Sequence, residues 1–125
     1  MTHPSSEYAQ RRHHLVDFTL RKRGIRDRRV LAAMRSVPRE EFVSPELRDV
    51  IYDDCAQSIG SGQTISQPFT VAFMAQAAQL LESDTILEVG TGSGYGAAVL
   101  SQLGATVHSI ERLPELAELA AHRLQ

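Results

Sequence analysis

Thr85–Ile110 reads TILEVGTGSGYGAAVLSQLGATVHSI, and its changes of pattern organise the whole chain. A short apolar run, Thr85-Ile86-Leu87, leads into Glu88 and Val89. Glycine then recurs on every second residue, at Gly90, Gly92, Gly94 and Gly96. Ala97, Ala98, Val99 and Leu100 continue in a helical pattern until Gly104 stops it. A second β-branched run, Thr106-Val107-His108-Ser109-Ile110, ends in Glu111. Strand, glycine loop, helix, strand and acid, in that order, predict the first half of a nucleotide-binding α/β sheet.

Each part of the pattern has a physical reason. Glycines have no Cβ, so the backbone can take positive φ and come close to a ligand. The loop feeds a helix N-terminus, whose free N–H groups and positive dipole end suit polar or anionic groups. Right-handed crossovers place Glu111, at the end of the second strand, beside the first loop. A carboxylate there can accept two hydrogen bonds from a ribose diol. The plainer reading is a βαβ turn whose glycines only permit tight packing. Strand context, four glycines and the terminal acid together favour the ligand.

At 125 residues the chain has room for one domain, and 42% hydrophobic residues is ordinary for a soluble protein. The single cysteine, Cys55, excludes an intrachain disulfide and reads as a small buried hydrophobe. The polar N-terminus MTHPSSEYAQRRHH is no secretory signal, and no segment is apolar for long enough to span a bilayer. The expected compartment is the cytoplasm. The net charge of −2 conceals an asymmetry. Residues 1–29 hold eight Lys/Arg against three Asp/Glu, a balance of +5, and the remainder carries −7. That basic segment lacks interleaved aromatics for base stacking, so it reads as a solvated helix face rather than a nucleic-acid site.

In chain order, Ser5 or Ser6 is expected to cap a first helix reaching about Arg23, with Tyr8, Leu15, Phe18 or Thr19 near one face and Gly24 ending it. Asp27 caps a second helix from Arg28 to about Val37, with Val30, Leu31 and Met34 inward. Ser44-Pro45-Glu46 opens a third, with Leu47, Val50 and Ile51 as its stripe. Residues 1–56 thus form a helical region, and 57–125 the first half of the α/β unit. Gln57-Ser58-Ile59 with Gly60-Ser61-Gly62 reads as a strand and hairpin turn. A helix follows from Pro68 to Leu81, with Val71, Met74, Ala75, Ala78 and Leu81 inward. Ahead of it, Gln63, Thr64, Ser66 and Gln67 supply two hydroxyls and two amides that could cradle a carboxylate. Equally, Ser66 could simply cap the helix. Pro114 opens the last helix, with Leu116, Leu119, Ala120 and Leu124 on a stripe.

The five histidines show no i, i+4 spacing on a common helix, so no metal site is expected, and no Ser-His-acid arrangement can be assembled. Two ligand templates fit the glycine loop. Gly92-Ser-Gly94-Tyr-Gly96-Ala97 meets G-x-G-x-x-G/A at 92, 94 and 97, but starts two residues late for a dinucleotide site. Glu88-Val89-Gly90-Thr91-Gly92-Ser93-Gly94 meets E/D-x-G-x-G-x-G without strain and resembles motif I of class I S-adenosylmethionine-dependent methyltransferases. The pieces IGSGQTISQP (Ile59–Pro68), LEVGTGSGYGAAVLSQL (Leu87–Leu103) and SIER (Ser109–Arg112) resemble the protein-L-isoaspartate O-methyltransferase family. The upstream VLAAMRSVPREEFV and D-x-x-QSIG pieces fit the same family, so the resemblance runs from about Val30 onward.

The resemblance implies a Rossmann-like class I methyltransferase fold with an N-terminal helical layer. It implies methyl transfer from S-adenosylmethionine to the carboxylate of L-isoaspartyl residues in damaged proteins or peptides. By position, Ser66 matches the family's active-site serine, and Gln63, Thr64, Ile65 and Ser66 line the cleft. Glu88, Gly90, Thr91, Gly92, Ser93 and Gly94 form the cofactor loop, and Glu111, followed by Arg112, takes the ribose hydroxyls. A carboxylate is already a nucleophile at neutral pH and needs no general base. Ser66, with Thr64, is therefore expected to orient it. The family's sheet has seven strands, and this chain supplies two of them. It reads as the N-terminal part of the enzyme, binding cofactor poorly and inactive alone. The full-length protein is expected to be a monomer without nucleic-acid or membrane partners. The rival expectations are a methyltransferase acting on aspartate of a dedicated peptide, a dinucleotide-binding oxidoreductase fragment and a basic nucleic-acid adaptor.

Overall fold

The computed structural model describes residues 4–104 and 106–125. Helix α1 (Pro4–His14) continues into a π-helical turn over Leu15–Leu20, and Gly24 at φ +101 closes the segment. Ser5 and Ser6 lie inside the first turn of α1. Phe18 also departs from expectation, being exposed, whereas Val16 and Leu20 are buried beside Leu15. The cause is the widened turn, in which Arg21 N donates to Val16 O five residues back (3.2 Å). The extra residue per turn rotates later side chains off the 3.6-residue stripe. Phe18 instead packs on His14, ring centroids 4.6 Å apart.

Helix α2 (Arg28–Ser36) starts where Asp27 accepts hydrogen bonds from Arg29 N (2.9 Å) and Val30 N (3.3 Å), as its sequence predicts. Its Val30, Leu31 and Met34 are buried. A tight turn over Arg39–Phe42 follows. The helix expected after Ser44 shrinks to a single turn, Pro45–Leu47. Ile51 is buried while Val50 stays exposed, and the Ile51 carbonyl goes to the Arg39 side chain (2.8 Å) instead of a helical ladder.

Strands β1 (Gln57–Gly60) and β2 (Gln63–Ile65) form the expected hairpin. Helix α3 (Pro68–Ala77) ends four residues short of Leu81, with Ala72 and Ala75 buried and Met74, Ala78 and Leu81 exposed. Near its end, Gln76 serves the 24–27 linker as a second backbone. Its Oε1 accepts from Arg26 N (2.7 Å) and Asp27 N (2.9 Å), and its Nε2 donates to Gly24 O (3.2 Å).

Strands β3 (Thr85–Val89) and β4 (Thr106–Ile110) pair in parallel, in register from Thr85↔Thr106 to Val89↔Ile110. Helix α4 (Tyr95–Ser101) crosses between them, and α5 (Pro114–Arg123) follows β4. Leu116 and Ala120 of α5 are buried, but Leu119 and Leu124 are exposed. One apolar core runs from Leu15 through Val30, Met34, Ile51 and Ala72 to Tyr95 and Val99, joining the helical layer to α3 and α4. The architecture is α/β and Rossmann-like, with the helical layer set against the strand–loop–helix–strand unit. Among the described residues no helix is long and apolar enough to cross a membrane.

Candidate functional site

The end of β3 opens directly into the glycine loop. Gly90 (φ +94), Gly92 (φ +56) and Gly94 (φ +94) all adopt left-handed backbone, so the alternating spacing answers a conformational need. The loop is pinned to the end of β4. Gly90 N (2.8 Å) and Thr91 N (3.2 Å) both donate to Ile110 O, and Gly92 N donates to Glu111 Oε1 (2.8 Å). Glu111 Oε2 accepts from Leu113 N (3.0 Å). These backbone donors, Leu113 first and then Gly92, hold the Glu111 carboxyl below its ordinary range.

The N–H groups of Gly90, Thr91 and Gly92 therefore do not stand free as the sequence suggested. Gly94 N donates to Thr91 O (3.0 Å) and Tyr95 N to Ser93 Oγ (3.2 Å), which uses the first donor of α4 as well. The compact, alternating-glycine turn folds its own donors inward. Glu88 lies underneath, accepting from Ser109 Oγ (2.6 Å), which in turn meets Thr91 Oγ1 (2.5 Å). Burial raises the Glu88 carboxyl, and the Ser109 hydroxyl offsets part of that rise. A Cβ at Gly96 would lie 2.7 Å from Glu88 Oε2, so the fourth glycine makes room for this acid.

The hairpin stands beside the loop, with Ile59 Cδ1 3.7 Å from where a Gly92 Cβ would be. Between them run two clefts. One, of about 440 Å³, is lined by Thr64, Ile65, Ser66, Glu88, Gly90–Ser93, Met74 of α3 and Ala78 just after it. The other, of about 510 Å³, is lined by Gln63, Thr64, Gly90, Gly92, Glu111 and Arg112. Thr64, Gly90 and Gly92 belong to both, so the clefts meet at the loop. Eleven of the twelve residues singled out by sequence thus border one continuous depression. Gly94 is the exception, buried against Ala120 of α5 (3.3 Å from its would-be Cβ). It shapes the loop without lining it.

Thr64 and Ser66 expose their side chains, whereas Ile65 between them is buried, which fixes the strand end and turns both hydroxyls outward. Ser66 does not cap α3, and Gln67, at the cap position, makes no side-chain cap bond either. Asp54 does so from fifteen residues upstream, accepting from Phe69 N (2.9 Å). Arg39, Asp54, Ser109 and Arg123, whose Nη1 donates to Ser93 O (3.1 Å), support the site without having been assigned a role from sequence. The quoted VPREEFV, D-x-x-QSIG and SIER pieces contain three of them, but charge patterning alone marks such residues as surface.

A family model described as protein-L-isoaspartate(D-aspartate) O-methyltransferase matches residues 10–125. The protein-L-isoaspartate O-methyltransferase of Protochlamydia amoebophila is 58% identical over 111 residues, 89% of this chain and 53% of the relative. That of a Synechococcus species is 54% identical over 120 residues, 96% of this chain and 49% of the relative. The chain thus spans about half the length of the curated relatives it matches. Among solved structures, a Plasmodium falciparum protein of the same description, in complex with S-adenosyl-L-homocysteine, superposes with a TM-score of 0.77 at 24% identity, covering 90% of this chain and 54% of that one. Another solved protein-L-isoaspartate O-methyltransferase gives a TM-score of 0.76 at 29% identity, covering 90% and 38%.

Proposed function

Because the chain belongs to the protein-L-isoaspartate(D-aspartate) O-methyltransferase family over residues 10–125, we propose that it forms the cofactor-binding half of an enzyme that methylates the carboxylate of L-isoaspartyl residues in damaged proteins or peptides. The observation that carries this reading is the shared depression between Gln63–Ser66 and the Gly90–Gly92 loop, where a methyl donor and a carboxylate can meet. The donor set favours S-adenosylmethionine over a dinucleotide. A pyrophosphate needs free N–H groups, but here the donors of Gly90, Thr91, Gly92 and Gly94 are occupied by Ile110 O, Glu111 and Thr91 O. Two carboxyl groups, Glu88 and Glu111, flank the loop, which suits a cationic ligand.

In this reading Gly90–Ser93 forms the bed for S-adenosylmethionine, and Glu111 retains acceptor capacity for its ribose hydroxyls beyond the bonds from Gly92 and Leu113. When bound, the sulfonium supplies an activated methyl group. This chain's task is then to orient and desolvate. Ser66 and Thr64 donate hydrogen bonds to the incoming carboxylate, which is ionised at neutral pH and needs no proton removed. Residues 1–56 act as a helical support for the unit formed by 57–125, and the protein works in the cytoplasm as a monomer. The activity is that of a protein of the relatives' length, and the 125-residue chain alone binds the donor weakly.

The test uses the longer protein and paired peptides differing only in isoaspartyl versus aspartyl linkage. Methyl-ester formation on the first alone is the expected result, and equal or absent labelling of both would overturn the reading. Ser66→Ala should lower kcat by about tenfold or more, with S-adenosylhomocysteine affinity changed far less. Unaltered turnover would remove Ser66 from the mechanism.

A further inference from the structure

The segment carrying Ser66 is held from behind by two side chains from separate parts of the chain. Arg39 is fully buried, yet no carboxylate pairs with it among the described residues. Its Nε donates to Ile51 O (2.8 Å) and its Nη2 to Ser66 O (2.9 Å), while the guanidinium lies 4.8 Å over the ring of Tyr95. Tyr95 is itself buried and is the first residue of α4, directly after the glycine loop. Nη1 is buried without a partner among the described residues. Burial lowers the Arg39 pKa, with Tyr95 acting against that shift. An aliphatic side chain would fill such a site at lower cost. What the guanidinium adds is direction, through a rigid planar fork that reaches three segments at once.

Asp54 makes the second hold. Oδ1 accepts from Phe69 N (2.9 Å), and Oδ2 accepts from Gln67 Nε2 (3.0 Å) and Arg23 Nη1 (2.6 Å). Arg23 also stacks on the Phe69 ring at 3.9 Å. The peptide from Ser66 to Phe69 is thus fixed at Ser66 O, the Gln67 amide and Phe69 N. Ile65, just before it, is buried, while Ser66 itself is exposed. A functional group held this way has its angle set by the backbone clamp rather than by its own contacts.

We propose that Arg39 and Asp54 are positioning residues for the acceptor side of the site. Together they fix Ser66 relative to Tyr95 and the glycine loop. This rests on the methyltransferase reading above. Arg39 sets the distance between the two loops, since one side chain touches both, and Asp54 sets the tilt of the Ser66–Phe69 peptide at the start of α3.

The experiment compares Asp54→Asn, Arg39→Met and Arg39→Lys with the unmodified protein of the relatives' length. It measures kcat and KM for an isoaspartyl peptide, the Kd of S-adenosylhomocysteine, and amide hydrogen exchange over residues 63–70 and 85–90. For Asp54→Asn the expected result is at least a tenfold fall in kcat/KM for the peptide, with the S-adenosylhomocysteine Kd within twofold. Exchange should accelerate at 63–70 and not at 85–90. Arg39→Lys should recover part of the activity lost in Arg39→Met, because one donor can still reach Ser66 O. If Arg39→Met fails to fold, Asp54→Asn decides the matter alone, since Asp54 lies at the edge of the core. Folded variants with unchanged kcat/KM would overturn the clamp. So would a loss of activity and of S-adenosylhomocysteine affinity in equal measure. Failure of the unmodified protein to methylate isoaspartyl peptide would instead overturn the functional reading, and the clamp's role with it.

Discussion

The two halves of the molecule use similar residues to opposite effect. In the helical half, Val16, Leu20, Ile25, Val30 and Ile51 are all but inaccessible to solvent. In the sheet half, Leu87 is 61% exposed, Val89 76% and Ile110 54%. The strands alternate correctly, with Ile86, Glu88, Val107 and Ser109 turned toward the covered side. Alternation, however, fixes only which residues share a face. Whether that face is dry depends on a second layer. The open side of β3–β4 and the exposed Met74 face of α3 flank the same cleft, so the apolar surface here is continuous with the site.

The largest expected difference between the halves is energetic. Ile51→Ala should cost about 2–5 kcal/mol of unfolding free energy, because it empties a closed core position. Leu87→Ala should stay within about 0.5 kcal/mol, since little of the side chain is buried. Urea unfolding followed by circular dichroism measures both. Comparable losses would mean that the sheet face is covered in solution.

Next comes the glycine loop between β3 and α4, within the sheet half. Gly94→Ala forces a non-glycine residue into left-handed backbone and brings its Cβ to 3.3 Å from Ala120, for a loss of about 1–2 kcal/mol. The same measurement checks it. A smaller loss would show that α5 yields easily.

The smallest effect separates the two carboxyl groups at the site. Glu88 is held above the ordinary range by burial, so the folded state binds its proton more tightly than the unfolded chain. Its contribution falls as pH rises from about 4, the ordinary glutamate value, through the folded pKa. Glu111 is held below that range by Leu113 N and Gly92 N, so its contribution is present at neutral pH and lost as pH falls through the folded pKa. Thermal melts should therefore show Glu88→Gln gaining relative stability toward neutral pH and Glu111→Gln losing it. Slopes of the same sign would refute the assignment.

Local chemistry was the part of this fold legible in the sequence. The Asp27 cap, the Gly60-Ser61-Gly62 turn and the glycine loop with its two strands all follow from backbone demands made within a few residues. Less legible were features set by tertiary partners. The π-helical turn that expels Phe18 leaves no periodic trace. The helix after Ser44 loses its ladder to Arg39, and a fully buried arginine contradicts the rule that charge lies outside. At the site, sequence brought the Gln63–Ser66 and glycine-loop segments together through family resemblance. Their supports, Arg39 and Asp54, act across 27 and 15 residues and are visible only in three dimensions.

Gln76 bears on how the chain tolerates rearrangement. The stretch Gly24–Asp27, with its glycine and flanking charges, looks like a permissive splice point. Yet three of its backbone groups are read by one amide on α3. An inserted residue there would slide the linker out of register with that amide, whereas one at the exposed Ser61 would lengthen a hairpin tip. Tags, permuted termini or grafted loops therefore belong at the tip, and the first two helices cannot be shuffled independently of α3.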